Sequence, residues 1–152
     1  MLVYRVCRSK YARDLTGEGS RLKGGRWNHK KTPCIYTSAS RSLAILEYTV
    51  NVNIDEIPRA LSIITISIPE ESMYQPSLSK LPGNWTDIPT PSATKDFGTS
   101  LLVKNEFAVI QLPSVIIPQE FNFILNCLHP FSNQFKVKEV ADFVYDTRIK
   151  LI

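Results

Sequence analysis

Residues 11–33, YARDLTGEGSRLKGGRWNHKKTP, restrict the folding of this chain more than any other stretch. The segment is polar, carries Gly17, Gly19, Gly24 and Gly25, and separates two strand-like runs, LVYRVC at 2–7 and CIYT at 34–37. Connections longer than about 12–15 residues are uncommon in compact domains, and those that occur are usually functional or disordered. Here the composition favours function, because the glycines sit beside Arg21, Arg26 and Trp27. Glycine lets backbone approach a ligand, and arginine offers a forked donor to phosphates.

Beyond this segment, Ser38 or Ser40 can cap a helix running to about Asn51. On it Leu43, Leu46 and Val50 follow the i, i+3, i+7 pattern, and Glu47 falls on the same apolar stripe. A carboxylate facing the core needs a cationic or hydrogen-bonding partner, a shifted pKa, or a water-filled cleft. Ala60–Ile68 is rich in β-branched residues and reads as a strand that Pro69 ends. Residues 70–99 read as a loop rich in proline, serine and threonine, leading into a short helix near 93–103. Strand character resumes over 106–117, interrupted by Pro113; residues 119–125 suggest a helical turn, and 135–137 and 142–145 weak strands. Strands outnumber helices without regular βαβ alternation, so an α+β fold in a single domain is expected.

Hydrophobic residues make up 43% of the chain and no apolar run approaches the ~20 residues that span a bilayer, which argues against a membrane protein. The amino terminus lacks the regions of a secretion signal, so a cytoplasmic location is expected. Cys7, Cys34 and Cys127 have no CxxC spacing and suggest neither disulfide nor metal site, only free packing thiols. The net charge of +4 is concentrated early: nine Arg and Lys residues face only Asp14 and Glu18 in the first 31 positions. Such a patch suits a polyphosphate ligand, a nucleic acid or an acidic partner.

Arginines, aromatic rings and an inward-facing carboxylate are also what cleavage of the nicotinamide–ribose bond in NAD+ requires, with no metal. Arginine holds the diphosphate, an aromatic surface holds nicotinamide, and the carboxylate binds the ribose and stabilises an oxocarbenium-like transition state. Arg5, Arg26, Tyr36, Trp27 and Glu47 supply these groups within the first 50 residues.

The strings DLTGEGSRLKGGRWN (14–28), IYTS (35–38), SLAILE (42–47), LPGNW (81–85), LPSVIIP (112–118) and NFILNCLHP (122–130) resemble successive blocks of the RES domain, in order across nearly the whole chain. The resemblance implies an ADP-ribosyltransferase-like split β-sheet core with a few flanking helices. It implies the toxin of a type II toxin–antitoxin pair that degrades NAD+ by hydrolysis or phosphorolysis. Glu47, Arg5 and Tyr36 become the expected catalytic residues, and Arg5, Arg26, Tyr36, Gly25 and Ser114 the expected NAD contacts. The implied partner is an Xre-like helix-turn-helix antitoxin; self-association is left open. Two positions depart from the family, which usually has proline where this chain has His29 and Cys127. Trp27 reads as structural, and His29 and His129 as turn histidines rather than acid–base groups. Two other functions compete: a mono-ADP-ribosyltransferase acting on a cytosolic protein, and a basic nucleic-acid-binding module using Trp27 and Tyr11 as stacking groups.

Overall fold

The computed structural model describes residues 1–150; Leu151 and Ile152, the end of the expected 1–152 domain, lie outside the described residues. Its architecture is α+β: one seven-stranded sheet with three α-helices. The strands are β1 (Leu2–Arg8), β2 (Ile35–Ser38), β3 (Leu61–Ser67), β4 (Met73–Tyr74), β5 (Val109–Pro113), β6 (Phe121–Leu125) and β7 (Lys136–Phe143). They lie in the order β4-β5-β6-β2-β1-β3-β7. β4 runs parallel to β5, and the other pairs are antiparallel. β1 and β3 pair along their full lengths, but β1 and β2 share a single registered pair, Tyr4 opposite Ser38. The sheet therefore divides at that junction into two halves, β3/β7/β1 and β2/β6/β5/β4.

Side-chain alternation gives the sheet two apolar faces. Val3, Ile35, Ile64, Ile66, Val109, Phe123 and Leu125 build one core, with Ala12 and Leu15 covering it from the long connection. Trp27, Leu81, Leu102, Ile110, Leu112 and Ile124 build the other. Helix α2 (Arg41–Asn51) lies on this second side, its Arg41 guanidinium 4.5 Å from the centre of the Tyr4 ring. Ser40 caps it by accepting from the Leu43 N–H at 3.1 Å. Leu43 and Ala44 are buried, but Val50 is 59% exposed, contrary to its expected place on the stripe. It sits in the last turn, where the buried position is instead Thr49, whose hydroxyl meets the buried Tyr145.

Three expectations from sequence are corrected. The long connection contains a six-residue helix, α1 (Glu18–Lys23), set between Gly17 and Gly24, both of which have positive φ. Residues 121–125, expected to be helical, form the strand between β5 and β2. Its residues alternate between the two cores, and this two-sided pairing overrides local preference. The separate weak strands at 135–137 and 142–145 are replaced by one continuous edge strand, because β3 offers β7 a full-length partner. Helix α3 (Ser92–Lys104) extends slightly beyond its expected limits.

Candidate active site

The site is built on the face of the sheet that carries α2. Ser38 and Asn122 stand opposite each other in the β2–β6 pairing, so strand alternation puts Tyr36, Ser38 and Asn122 on one side. Glu47, about two helical turns beyond the Ser40 cap of α2, reaches down to Asn122 and to Ser114 just past the end of β5. Its Oε1 accepts from Ser114 Oγ at 2.8 Å and from Asn122 Nδ2 at 2.6 Å. Ser114 is fully buried, and its oxygen accepts the N–H groups of Ile116 (3.0 Å) and Ile117 (3.1 Å). With its acceptor positions filled, the hydroxyl hydrogen is directed at Glu47. Both side-chain donors converge on the same carboxylate oxygen, and among the described residues Oε2 receives no hydrogen bond. The inward carboxylate thus meets the requirement for hydrogen-bonding partners.

Arg26 comes from the turn Gly25–Asn28, which closes through Gly25 N–H to the Asn28 carbonyl at 3.0 Å. Asn28 is fully buried, and its Nδ2 donates to the carbonyls of Ser20, His29 and Thr32. Its Oδ1 accepts from Tyr36 OH at 2.6 Å, and that phenol oxygen accepts the Trp27 N–H at 2.9 Å. Burial pushes the phenol well above its ordinary pKa, so it stays neutral. Tyr36 therefore spends its hydroxyl on holding the turn that carries Arg26. A Cβ on Gly25 would stand 2.6 Å from that hydroxyl, so the glycine makes room for the tyrosine.

The Arg26 side chain donates from Nη1 to the carbonyls of Trp85 (2.8 Å) and Asp87 (3.1 Å). This leaves its Nε and Nη2 donors for other partners. Partial burial lowers its pKa, while the negative charge of Glu47 opposes that shift. The charge of the carboxylate thus reaches the guanidinium across the site, each group being anchored to protein on one side.

The structure brings Arg26, Tyr36, Gly25, Glu47 and Ser114 together, but it does not bring Arg5 to them. Arg5 lies between Val3 and Cys7 on β1, opposite Ile64, and so belongs to the other face. Its Nη2 donates to the carbonyls of Tyr11 (2.9 Å) and Asp14 (2.8 Å), and its Nε is buried without a partner. The expected convergence of Arg5 with Glu47 is corrected by strand phase. Sequence reading also missed Asn28, which knits the turn together, and Ser38 and Asn122, whose roles depend on which strands pair. The motif blocks contained Asn28 and Asn122 but carried no signal of their hydrogen bonds.

Trp27 is buried against Trp85 and Phe97, as its structural reading required. His129 caps a 3-10 turn by accepting the Phe131 N–H. His29 ties the arginine turn to α3, with its N–H on Thr99 Oγ1 (2.9 Å) and its Nε2 2.6 Å from Asp96 Oδ1. The first of these bonds is one that proline, lacking an N–H, could not make. The three cysteines are free, and burial pushes the thiols of Cys34 and Cys127 up to about 12. Among the described residues no group of three His, Cys, Asp or Glu side chains is arranged to hold a metal. No helix there is long and apolar enough to cross a membrane.

Comparison with known proteins adds the following. A family model described as the RES domain matches residues 2–146. A "Toxin Res" of Photorhabdus laumondii is 34% identical over 152 residues, covering 98% of this chain and 97% of its own length. A "Prs ADP-ribosylating toxin" of a Sphingobium species is 32% identical over 145 residues, covering 93% of this chain and 90% of its own. Among solved structures, a chain of the M. tuberculosis MbcT–MbcA toxin–antitoxin complex superposes with a TM-score of 0.74 at 17% identity. That match covers 94% of this chain and 84% of the other, and it bears on the fold.

Proposed function

The chain belongs to the RES domain family, and from that premise we propose that it is the toxin of a toxin–antitoxin pair that takes NAD+ as substrate and breaks its nicotinamide–ribose bond. The observation that carries this reading is the Glu47 carboxylate, pinned through Oε1 by Ser114 and Asn122 and acting electrostatically on Arg26.

In this reading Arg26 uses its free donors on the NAD+ diphosphate, as a forked cation does well. Glu47 binds a ribose hydroxyl through Oε2. As the bond from ribose C1 to the nicotinamide nitrogen breaks, its electron pair leaves with neutral nicotinamide and positive charge develops on the ribose. A fixed carboxylate stabilises that charge without reorganising. A nucleophile then bonds to C1 and gives up its proton; water yields ADP-ribose, and phosphate yields its phosphorylated counterpart. Tyr36 and Gly25 serve by shaping the Arg26 turn, and Ser114 by orienting Glu47.

A second reading sends the same ribosyl cation to an amino-acid side chain of a cytosolic protein. The name of the Sphingobium relative favours it. The complex containing the structural neighbour supports an antitoxin partner, and the family resemblance points to one of the helix-turn-helix kind.

Incubating the pure protein with NAD+ labelled in the adenine moiety separates these outcomes. Free nicotinamide with labelled ADP-ribose or its phosphate identifies degradation, whereas label on a discrete protein band identifies transfer. NAD+ left intact at high protein concentration, with phosphate and with cell extract, sinks both. Glu47→Gln keeps the shape and removes the charge. It is expected to retain NAD+ binding and lose turnover by at least about a hundredfold, as removal of one electrostatic contact to a transition state does.

A further inference from the structure

Asn122 holds Glu47 directly, yet its own orientation comes from elsewhere. A primary amide can offer either its oxygen or its nitrogen, and the surrounding hydrogen bonds decide which. Here the buried Ser38 hydroxyl donates to Asn122 Oδ1 at 2.7 Å, which turns Nδ2 toward Glu47 Oε1 at 2.6 Å. The reversed amide would set its oxygen against the carboxylate and leave Ser38 without its acceptor.

We infer that Asn122, oriented by Ser38, is a positioning residue that fixes which oxygen of Glu47 meets the substrate; this rests on the reading of Glu47 as the reacting carboxylate. One donor alone leaves a carboxylate free to turn, because the terminal torsion of glutamate is broad and roughly twofold. Ser114 approaches from the end of β5 and Asn122 from β6, and both end on Oε1. Ser38 is also the residue that pairs with Tyr4 at the narrow β1–β2 junction. The geometry of the carboxylate is therefore tied to the line along which the two halves of the sheet meet.

Asn122→Asp tests the inference, since it preserves shape and replaces the amide donor by a second acid. Two carboxyl groups at this distance share one proton, which returns a donor to Oε1 at low pH and is lost as pH rises. Arg26, the cation coupled to Glu47, stays protonated throughout, and Tyr36 stays neutral. Nicotinamide release followed from pH 5 to 9 is expected to show kcat down at least about tenfold at pH 8 and recovering toward pH 5, a limb absent from the unsubstituted protein. KM is expected to stay within about twofold, because the defect is in orientation rather than binding.

Thermal unfolding reads the same proton without catalysis: the deficit in Tm of Asn122→Asp should shrink as pH falls. If the unsubstituted protein releases no nicotinamide, the reading of Glu47 fails while the melting curves still judge the contact. Ser38→Ala, which removes the donor to Asn122 but no hydrogen bond to Glu47, should lower kcat with a Tm deficit that does not change with pH. A pH profile of Asn122→Asp parallel to that of the unsubstituted protein, or a Tm deficit constant with pH, overturns the inference. So does an Asn122→Asp protein that fails to fold alongside a Ser38→Ala protein with unchanged kcat.

Discussion

Arg5 and Tyr4 are neighbours in sequence on opposite faces of one sheet. Tyr4 meets Arg41 of α2 on the side that holds Glu47, whereas Arg5 points to the turn at 9–14 and caps the carbonyls of Tyr11 and Asp14. Hydrogen bonds from a charged donor contribute about 1.5–3 kcal/mol each. Arg5→Ala should therefore lower the midpoint of urea unfolding, while KM for NAD+ should rise much less than in Arg26→Ala. Equal increases in KM for the two variants at matched folded fraction would return Arg5 to the ligand site. Tyr36 shows the same separation between residue type and task. An aromatic expected to meet the substrate has both hydrogen bonds of its hydroxyl committed to Trp27 and Asn28.

Among the elements, the arginine turn depends most on its neighbours. Tyr36 of β2 holds it from below, α1 is linked to it through Asn28 and the Ser20 carbonyl, and α3 presses on Trp27. The approach of α3 is close enough that a Cβ at Gly98 would lie 2.0 Å from the Trp27 carbonyl oxygen. In an isolated helix interior, glycine to alanine stabilises by about 1 kcal/mol. Here the sign reverses, because the obstacle is backbone and α3 or the turn must shift. Gly98→Ala is expected to destabilise by about 1–3 kcal/mol in denaturant and to raise KM for NAD+ by displacing Arg26. A Gly98→Ala protein at least as stable as its parent would show that α3 is not docked at this distance. Strand β6 acts in the opposite direction: its pairing on both sides gives Asn122 a fixed base from which to hold Glu47.

At the scale of the whole molecule, the buried thiols link stability to alkaline pH. Cys34 and Cys127 are raised to about 12 in the folded protein, against 9.0 for an unperturbed thiol. Between those values the unfolded chain has lost protons that the folded one retains, so stability is intact below about pH 9 and falls as pH rises above it. The slope is about 1.4 kcal/mol per pH unit for each thiol that remains protonated only in the folded state. Tyr36, also raised, adds to the loss once unfolded phenols ionise. Calorimetry from pH 7 to 11 should show Tm level at first and declining beyond pH 9, with a shallower decline in Cys34→Ala. A flat profile to pH 11 would mean that the thiols are not sheltered.

The order of the motifs and the chemistry they contain were legible in the residues. Residue patterns located β1, β2, α2, β3 and α3 with modest boundary shifts, because local turn chemistry, capping and apolar periodicity act over a few positions. Glu47 was visible as a carboxylate on an apolar stripe, and Arg26 as a cation in a glycine-rich turn. Which strands pair, and hence which face a side chain occupies, depends on contacts far apart in the chain. A shift of one position in a strand moves a side chain through the sheet. That long-range pairing separated Arg5 from the site, made β6 a strand, brought Asn122 and Ser114 to the carboxylate of Glu47, and set Ser38 against Asn122.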